Sequence, residues 1–205
     1  MLDNNVKTSF GITWDYRCPF ARNIHEHVLA GLKAGAEWDV DFIPFSLSQV
    51  HIEPGEVPAW EDPDKAEELM AMEAALAAKK LFPDLFWDLH KALFSLRHDE
   101  GKNIRDEKII SQTLEVVGID SKAVFDEVAS KRPLKEFRQA HEKAVDDYDV
   151  FGVPTFIING QAAFVRIMNR PSQDGSESIK TINKIIDLIA NDSNINEIKH
   201  TTVPR

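Results

Sequence analysis

The segment from Phe151 to Gly160 reads FGVPTFIING and carries two signals that decide the fold. Asn159-Gly160 separates two apolar runs, and this dipeptide favours a two-residue hairpin turn because both central residues must accept a positive φ. Pro154 lies in the first apolar run, although proline removes a ladder hydrogen bond and is disfavoured in a central strand. The segment therefore predicts an antiparallel hairpin with an unusual peptide at Val153-Pro154.

The other end of the chain has a strand and a helix with one cysteine between them. Lys7–Trp14 alternates apolar residues with smaller or polar ones, which predicts a strand. Cys18 follows, and Pro19 takes the position favoured in the first turn of a helix, which closes on Gly35 after about 15 residues. Residues 40–45 predict a second strand, so the chain opens with the strand-helix-strand unit of a parallel α/β sheet.

Between these β-rich ends the apolar spacing is helical throughout. Asp62-Pro63 predicts a capped helix start, and residues from Asp106 to Gly118 predict a further capped helix. Leucine stripes at three- and four-residue spacing indicate helices that bury one face against each other. We expect three parts: an α/β domain formed by residues 1–61 and 149–190, an inserted all-helical subdomain over 62–148, and a flexible tail over 191–205.

Composition narrows the classes of function. The 205 residues include 34 acidic and 24 basic ones, a net charge of −10 that disfavours phosphate backbones and anionic membrane surfaces. We expect neither a nucleic-acid partner nor a membrane partner. The N-terminal MLDNN lacks the basic and apolar regions of a secretory signal, and no run of about 18 apolar residues occurs, so we expect a cytoplasmic protein. Whether it forms a homodimer stays open.

Cys18 is the only cysteine, so the chain cannot close an internal disulfide or build a multi-cysteine metal site, and we expect no metal. The free N–H groups at the start of the following helix and the cation of Arg17 would both favour the thiolate. We therefore expect a pKa below that of free cysteine and a nucleophilic sulfur. The alternative is a small buried hydrophobe, which is how most lone cysteines behave.

Four histidines give weaker signals. His25 and His27 lie two residues apart on a helix and cannot share a metal, so we expect solvated side chains. His90 and His98 lie on or just beyond a helical stripe, and they could line a cleft between the two domains.

Three further residues stay open. His51 follows the second strand on a loop and could approach Cys18. Arg166 and Arg170 follow the hairpin, where they could bind a carboxylate-bearing thiol such as glutathione. The alternative for both arginines is a solvated side chain in an acidic protein.

The two motifs and the order of elements resemble the DsbA-like branch of the thioredoxin superfamily, in which a helical subdomain interrupts a thioredoxin fold. The resemblance rests on DYRCPFA at residues 15–21 and on FGVPTFIING at 151–160, and the element order covers nearly the whole chain. It implies that Cys18 is the reactive thiol, that Pro154 is a cis proline beside it, and that Val153 offers backbone groups to an extended substrate. The other substrate-binding residues that it implies are Pro19, Phe20, Ala21 and Thr155.

Ala21 departs from the Cys-x-x-Cys pattern of the redox members of that family. Without a resolving thiol, Cys18 can form a mixed disulfide that only an external thiol can release. The resemblance thus implies a thiol-disulfide oxidoreductase that acts on a disulfide or thiol-bearing substrate through one cysteine. It would have no tightly bound cofactor, and its co-substrate would be glutathione or another low-molecular-weight thiol.

Two alternatives remain open. The same branch includes 2-hydroxychromene-2-carboxylate isomerases and kappa-class glutathione transferases, so the chain could be an isomerase or transferase that depends on a thiol cofactor. It could also be a non-catalytic module that binds extended peptides in the groove beside Pro154.

Overall fold

The structure is a computed structural model that describes residues 7–202. The N-terminal pentapeptide considered above and the last three residues of the predicted tail lie outside this range. Within it, the strands β1 (Thr8–Trp14), β2 (Trp38–Pro44), β3 (Thr155–Ile158) and β4 (Gln161–Phe164) form one sheet in the order β2-β1-β3-β4. β1 and β2 are parallel, whereas β3 is antiparallel to both β1 and β4.

One face of the sheet is covered by two helices, α1 (Pro19–Lys33) and α8 (Gly175–Asn191). α1 connects the parallel strands and approaches β2 closely at Gly31, where a Cβ atom would lie 2.4 Å from the ring of Trp38. α8 buries the isoleucine stripe expected from the sequence, with Ile182, Ile186 and Ile189 in the core. Apolar burial on this face therefore packs α1 and α8 against the sheet.

The segment between β2 and β3 is helical, as its periodicity predicts. Asp106 caps one of its helices, which ends at Gly118 with a φ of 91°. No helix in residues 7–202 has the length and apolar character that a membrane span needs. The helices of this segment are α2 (Leu47–Val50), α3 (Ala66–Leu81), α4 (Phe86–His98), α5 (Glu107–Val117), α6 (Ser121–Ala129) and α7 (Arg132–Tyr148), with 3₁₀ turns at Pro63–Lys65 and Pro83–Leu85.

The hairpin follows the predicted turn but begins later than expected. Asn159 and Gly160 have φ values of 50° and 77°, which the two-residue turn requires. β3 starts at Thr155, so the expectation that Pro154 lies inside a strand is wrong. The proline precedes the ladder, where its missing N–H costs no strand hydrogen bond, and its carbonyl accepts the N–H of Val165 at 3.1 Å.

The chain after α8 lines one pocket together with residues of the hairpin. It has no regular structure up to residue 202. Together with β4 and the end of α8 it bounds a groove of about 610 Å³. We name this space the β4 groove.

Buried histidines tie the helical segment to the sheet. His25 and His27 are 0% and 5% exposed, so the expectation of solvated side chains is wrong. His141 on α7 packs against Phe45, and its Nδ1 accepts the N–H of Ser46 at 3.1 Å. Burial lowers the pKa of His25 to about 3 and that of His141 to about 4.

These pKa values predict that stability falls as the pH decreases from about 6.5 towards 4. The unfolded chain takes up protons near pH 6.5, whereas His25 and His141 in the folded state stay neutral far below it. Each group then contributes stability that is complete above its unfolded pKa and declines by about 1.4 kcal/mol per pH unit below it. Urea unfolding at several pH values measures the slope.

A variant pair assigns part of this slope to His141. His141→Asn keeps an acceptor for the Ser46 N–H but cannot take up a proton in the unfolded chain. We expect it to be less stable than the parent at about pH 7, and to lose less free energy of unfolding on acidification. His51→Gln changes an exposed side chain and should keep the parental slope. Equal slopes for all three proteins would contradict the assignment.

Candidate functional site

The fold brings Cys18 against the loop that carries Pro154. The Cys18 thiol donates to the carbonyl of Val153, with a sulfur–oxygen distance of 3.4 Å. The peptide bond that follows this carbonyl, Val153-Pro154, is cis. The two sequence motifs therefore form one site, although 135 positions separate the cysteine and the valine.

Threonine hydroxyls hold this loop in place from inside the protein. Thr13 accepts the N–H of Thr155 at 2.8 Å and donates to the carbonyl of Gly152 at 3.4 Å. The Thr155 hydroxyl donates to the same carbonyl at 2.8 Å. Thr155 is buried and its hydroxyl and N–H both bond inside the protein, so its side chain positions the loop, and its contact with substrate stays a prediction.

Cys18 is also the N-cap of α1. Its sulfur accepts the N–H of Ala21 at 3.4 Å, as expected from a cysteine just before a first-turn proline. The Ala21 side chain is fully buried, so it offers a substrate only this backbone group and no side-chain contact. Pro19 is exposed and Phe20 is half-buried, and they are the first two residues of α1 after Cys18.

The charge state of the thiol differs from the expectation. Burial raises the pKa of Cys18, which is 8% exposed, and the carboxylate of Asp15 raises it further. The N–H groups of Ala21 and Phe20 and the cation of Arg166 lower this pKa without reversing the rise. The prediction of a thiolate in the free protein is therefore wrong, because the burial of the sulfur outweighs the helix N-terminus.

The cation that acts on the thiol is not the neighbour in sequence. Arg17 forms ion pairs with Asp15 at 3.1 Å and with Glu68 at 3.2 Å. Arg166 instead lies over the ring of Phe20, with 5.2 Å from its guanidinium carbon to the ring centroid. Arg17 is next to Cys18 in the sequence, but its guanidinium is held by the carboxylates of Asp15 and Glu68.

An aromatic surface of Phe20, Phe151 and Phe164 links the first turn of α1 to the hairpin. Phe151 and Phe164 pack together with ring centroids 5.3 Å apart, and Phe151 is 68% exposed. The guanidinium of Arg166 lies 5.8 Å from the Phe164 ring as well as over Phe20. This surface connects the cysteine motif with the Pro154 motif and suits a partly apolar ligand.

A directional chain of hydrogen bonds runs below the site. The carbonyl of Thr13 can only accept, so His25 donates to it from Nε2 at 3.2 Å and accepts from His90 Nε2 at 2.9 Å. His90 Nδ1 then accepts the hydroxyl of Tyr16 at 2.9 Å. Burial lowers the pKa of both histidines and raises that of Tyr16, so all three groups are neutral.

The other residues considered in the sequence lie apart from the thiol and make different contacts. His98 donates from Nε2 to the carbonyl of Tyr16 at 2.8 Å, which supports the segment just before Cys18. Arg170 pairs with Glu26 and Asp99 and is not free to bind a ligand carboxylate. His51 is exposed and makes no contact with Cys18 in the described structure.

Sequence reasoning missed the supports of the site. Thr13 looks like an ordinary polar residue of an alternating strand, and Phe151 looks like part of an apolar run. The position of Tyr16 within DYRCPFA is the one local signal, because it lies two residues before the cysteine. Within the described residues, no group of three or more His, Cys, Asp or Glu side chains is arranged to hold a metal ion.

Comparison with known proteins gives one family. The profile of the DSBA-like thioredoxin domain matches residues 69–184, which is more than half of the 205 residues. The matched segment includes Pro154 and begins after Cys18. No curated protein matches the chain.

Solved structures with the same fold come from several bacteria. Reduced DsbA1 from Neisseria meningitidis is 13% identical with a TM-score of 0.60, over 95% of this chain and 90% of that one. The thiol-disulfide exchange protein α-DsbA2 from Wolbachia pipientis is 19% identical with a TM-score of 0.59, over 90% and 83%. The cytosolic disulfide reductase DsbM from Pseudomonas aeruginosa, solved with GSH, is 12% identical with a TM-score of 0.61, over 88% and 100%. At these identities the similarity confirms the expected fold class.

The raised pKa of Cys18 predicts slow alkylation at neutral pH. The rate of reaction with iodoacetamide should rise with pH to a midpoint above that of free cysteine, about 8.5, because the buried sulfur keeps its proton. Mass spectrometry of the folded protein at a series of pH values measures the rate. A midpoint below about 7 would contradict this prediction, because it would mean that the helix N–H groups outweigh burial in setting the pKa of Cys18.

Proposed function

Because this chain belongs to the DSBA-like thioredoxin domain family, we propose that it is a thiol-disulfide oxidoreductase that works through the single thiol of Cys18. The contact between the Cys18 sulfur and the Val153 carbonyl, at 3.4 Å, carries this proposal. It places the sulfur beside the backbone of the cis-proline loop, where an extended substrate can pair with that backbone while its own sulfur meets Cys18.

The reaction requires two exchange steps. Cys18 releases its proton to solvent, and the thiolate attacks one sulfur of the substrate disulfide. The substrate S–S bond breaks, one half leaves as a thiolate that takes up a proton, and the other half stays bound to Cys18. An external thiolate then attacks the sulfur of the bound half, leaves with it as a new disulfide and restores Cys18.

The backbone around Cys18 supports the charged form when it appears. The N–H groups of Ala21 and Phe20 and the cation of Arg166 all lower the thiol pKa against the effect of burial. A thiol that keeps its proton at neutral pH reacts through a small thiolate fraction, but each thiolate is a stronger nucleophile than one of low pKa. We therefore propose that Cys18 reacts slowly at neutral pH and faster at higher pH.

Ala21 makes an external thiol necessary. Its position in the first turn is the one from which a second cysteine would reach the bound sulfur, and alanine offers no thiol there. We propose glutathione or a similar low-molecular-weight thiol as co-substrate and the cytoplasm as the location, since reduced thiols are abundant there. The structural similarity to a cytosolic disulfide reductase solved with GSH supports this choice.

One observation favours a second candidate. Cys18 keeps its proton and donates it to a carbonyl, so the same S–H could donate to the thiolate of a bound thiol cofactor. The protein would then be an isomerase or transferase in which Cys18 binds the cofactor and forms no covalent bond.

Mixed-disulfide trapping tests the proposed function. Incubation with glutathione disulfide at about pH 8.5 should add one glutathionyl group to the protein, because Ala21 cannot release it. Intact mass measures the adduct, and Cys18→Ser should remain unmodified. An unmodified parent protein together with glutathione binding that survives in Cys18→Ser would favour the cofactor-binding candidate instead.

Ala21→Cys should change the single-thiol exchange into a two-thiol exchange. The introduced thiol would occupy the first turn of α1 beside Cys18, and we expect it to displace the glutathionyl group and leave an internal disulfide. The adduct found for the parent should be absent, and the mass after oxidation should fall by the two hydrogens of one disulfide. Ala21→Ser adds an atom of similar size at the same buried position and should keep the adduct. A persistent adduct in Ala21→Cys would contradict the geometry.

A further inference from the structure

The β4 groove opens beside the cysteine site. Phe151, Phe164 and Arg166 line the groove, and Arg166 also lies over Phe20, two residues after Cys18. Its volume of about 610 Å³ lies in the range of small-molecule sites, about 300–1,000 Å³. A ligand with a sulfur at Cys18 therefore has room for its remaining atoms in this groove.

Arg166 differs from the other arginines near the site. Arg17 is paired with Asp15 and Glu68, Arg22 with Asp99, and Arg170 with Glu26 and Asp99. No carboxylate in the described part of the chain pairs with Arg166. The guanidinium is exposed, and its hydrogen-bond donors are available to a ligand.

Two rings orient this free cation. Phe20 and Phe164 lie 5.2 and 5.8 Å from the guanidinium carbon of Arg166. Stacking on aromatic rings leaves the edge of the guanidinium plane open, which is the edge that binds a carboxylate through two parallel hydrogen bonds. Because the side chain is already held, less conformational freedom is lost when an anion binds.

The charges of the β4 groove restrict where an anion can lie. Arg166 is the one cation among the lining residues, all of which lie within residues 7–202. The lining also includes the carboxylate of Asp192, which repels an anion, and that of Glu197, which is paired with Lys199. A carboxylate in this groove is therefore directed to the Arg166 end, which is also the end nearest the thiol that Arg166 acts on.

We propose that Arg166 is the residue that selects the substrate, by binding a carboxylate of a low-molecular-weight disulfide while one sulfur of that disulfide meets Cys18. The inference rests on the proposed function and adds a substrate class to it, namely small disulfides with a carboxylate a few bonds from the sulfur. In the exchange step the Cys18 thiolate forms a new S–S bond as the substrate S–S bond breaks, the leaving half takes up a proton from solvent, and Arg166 keeps its charge throughout.

Three small disulfides that differ in their terminal groups test this selection. They are 3,3′-dithiodipropionate with carboxylates, 2-hydroxyethyl disulfide without charge, and cystamine with ammonium groups. The rate of mixed-disulfide formation at Cys18 is measured by intact mass at one fixed pH and low salt, as the ratio of the carboxylate reagent to the neutral one. Arg166→Met is expected to reduce this ratio about two- to fivefold, which is within the range of an exposed ion pair.

Two variants separate specific binding from net charge. Arg97→Met removes the charge of an exposed arginine that also lacks an ion pair in the described structure, and it should keep the parental ratio. Arg166→Lys keeps the charge without the planar donor edge and should give an intermediate ratio. The rate with 2-hydroxyethyl disulfide should be similar in the parent protein and in Arg97→Met.

The outcomes distinguish the inference from the proposed function. Equal ratios in the parent and Arg166→Met would overturn the role of Arg166 while the exchange chemistry stands. A failure of all three disulfides to react would overturn the proposed function. The rates of alkylation by iodoacetate and iodoacetamide, an anionic and a neutral reagent for the same thiol, then decide the inference: loss of the iodoacetate preference in Arg166→Met supports it, and an unchanged preference overturns it.

Discussion

The hydroxyl of Thr13 is the constraint on which the site depends. It joins β1 to both sides of the Val153-Pro154 peptide through the N–H of Thr155 and the carbonyl of Gly152. Cys18 follows the same strand by a few residues, so one strand positions the sulfur and the loop that faces it. The distance between thiol and carbonyl is therefore set within the sheet and does not depend on the outer loops.

Burial of the sulfur keeps Cys18 in its thiol form instead of the more reactive thiolate. The helix N-terminus contributes N–H groups as its position implies, yet the sulfur lies in a nearly closed environment, and the pKa of the thiol rises. Ala21 packs into the same interior and supplies no second sulfur. Both features are consistent with the proposed single-thiol chemistry, in which an external thiol releases the group bound to Cys18.

The sequence predicts what depends on local pattern. The hairpin at Asn159-Gly160, the helix led by Pro19 and the helical insertion follow from turn residues, caps and apolar spacing. The burial of His25 could not be predicted because it depends on His90 and Phe94 of the inserted helix α4, and the pKa of Cys18 could not because it depends on burial that local pattern does not set. The same holds for Thr155, whose hydroxyl turns inward because Gly152 presents its carbonyl there.

The chain from Tyr16 through His90 and His25 to Thr13 has a consequence for how the molecule tolerates change. Every proton in it points the same way, and its ends belong to the segment before the cysteine and to the strand behind the loop. His90 belongs to the inserted helix α4. A substitution that removes its ring nitrogens would leave the Tyr16 hydroxyl and His25 Nδ1 without hydrogen-bond partners close to the Cys18 segment. The sequence that the insertion can adopt is thus limited by the sheet, and that of the sheet by the insertion.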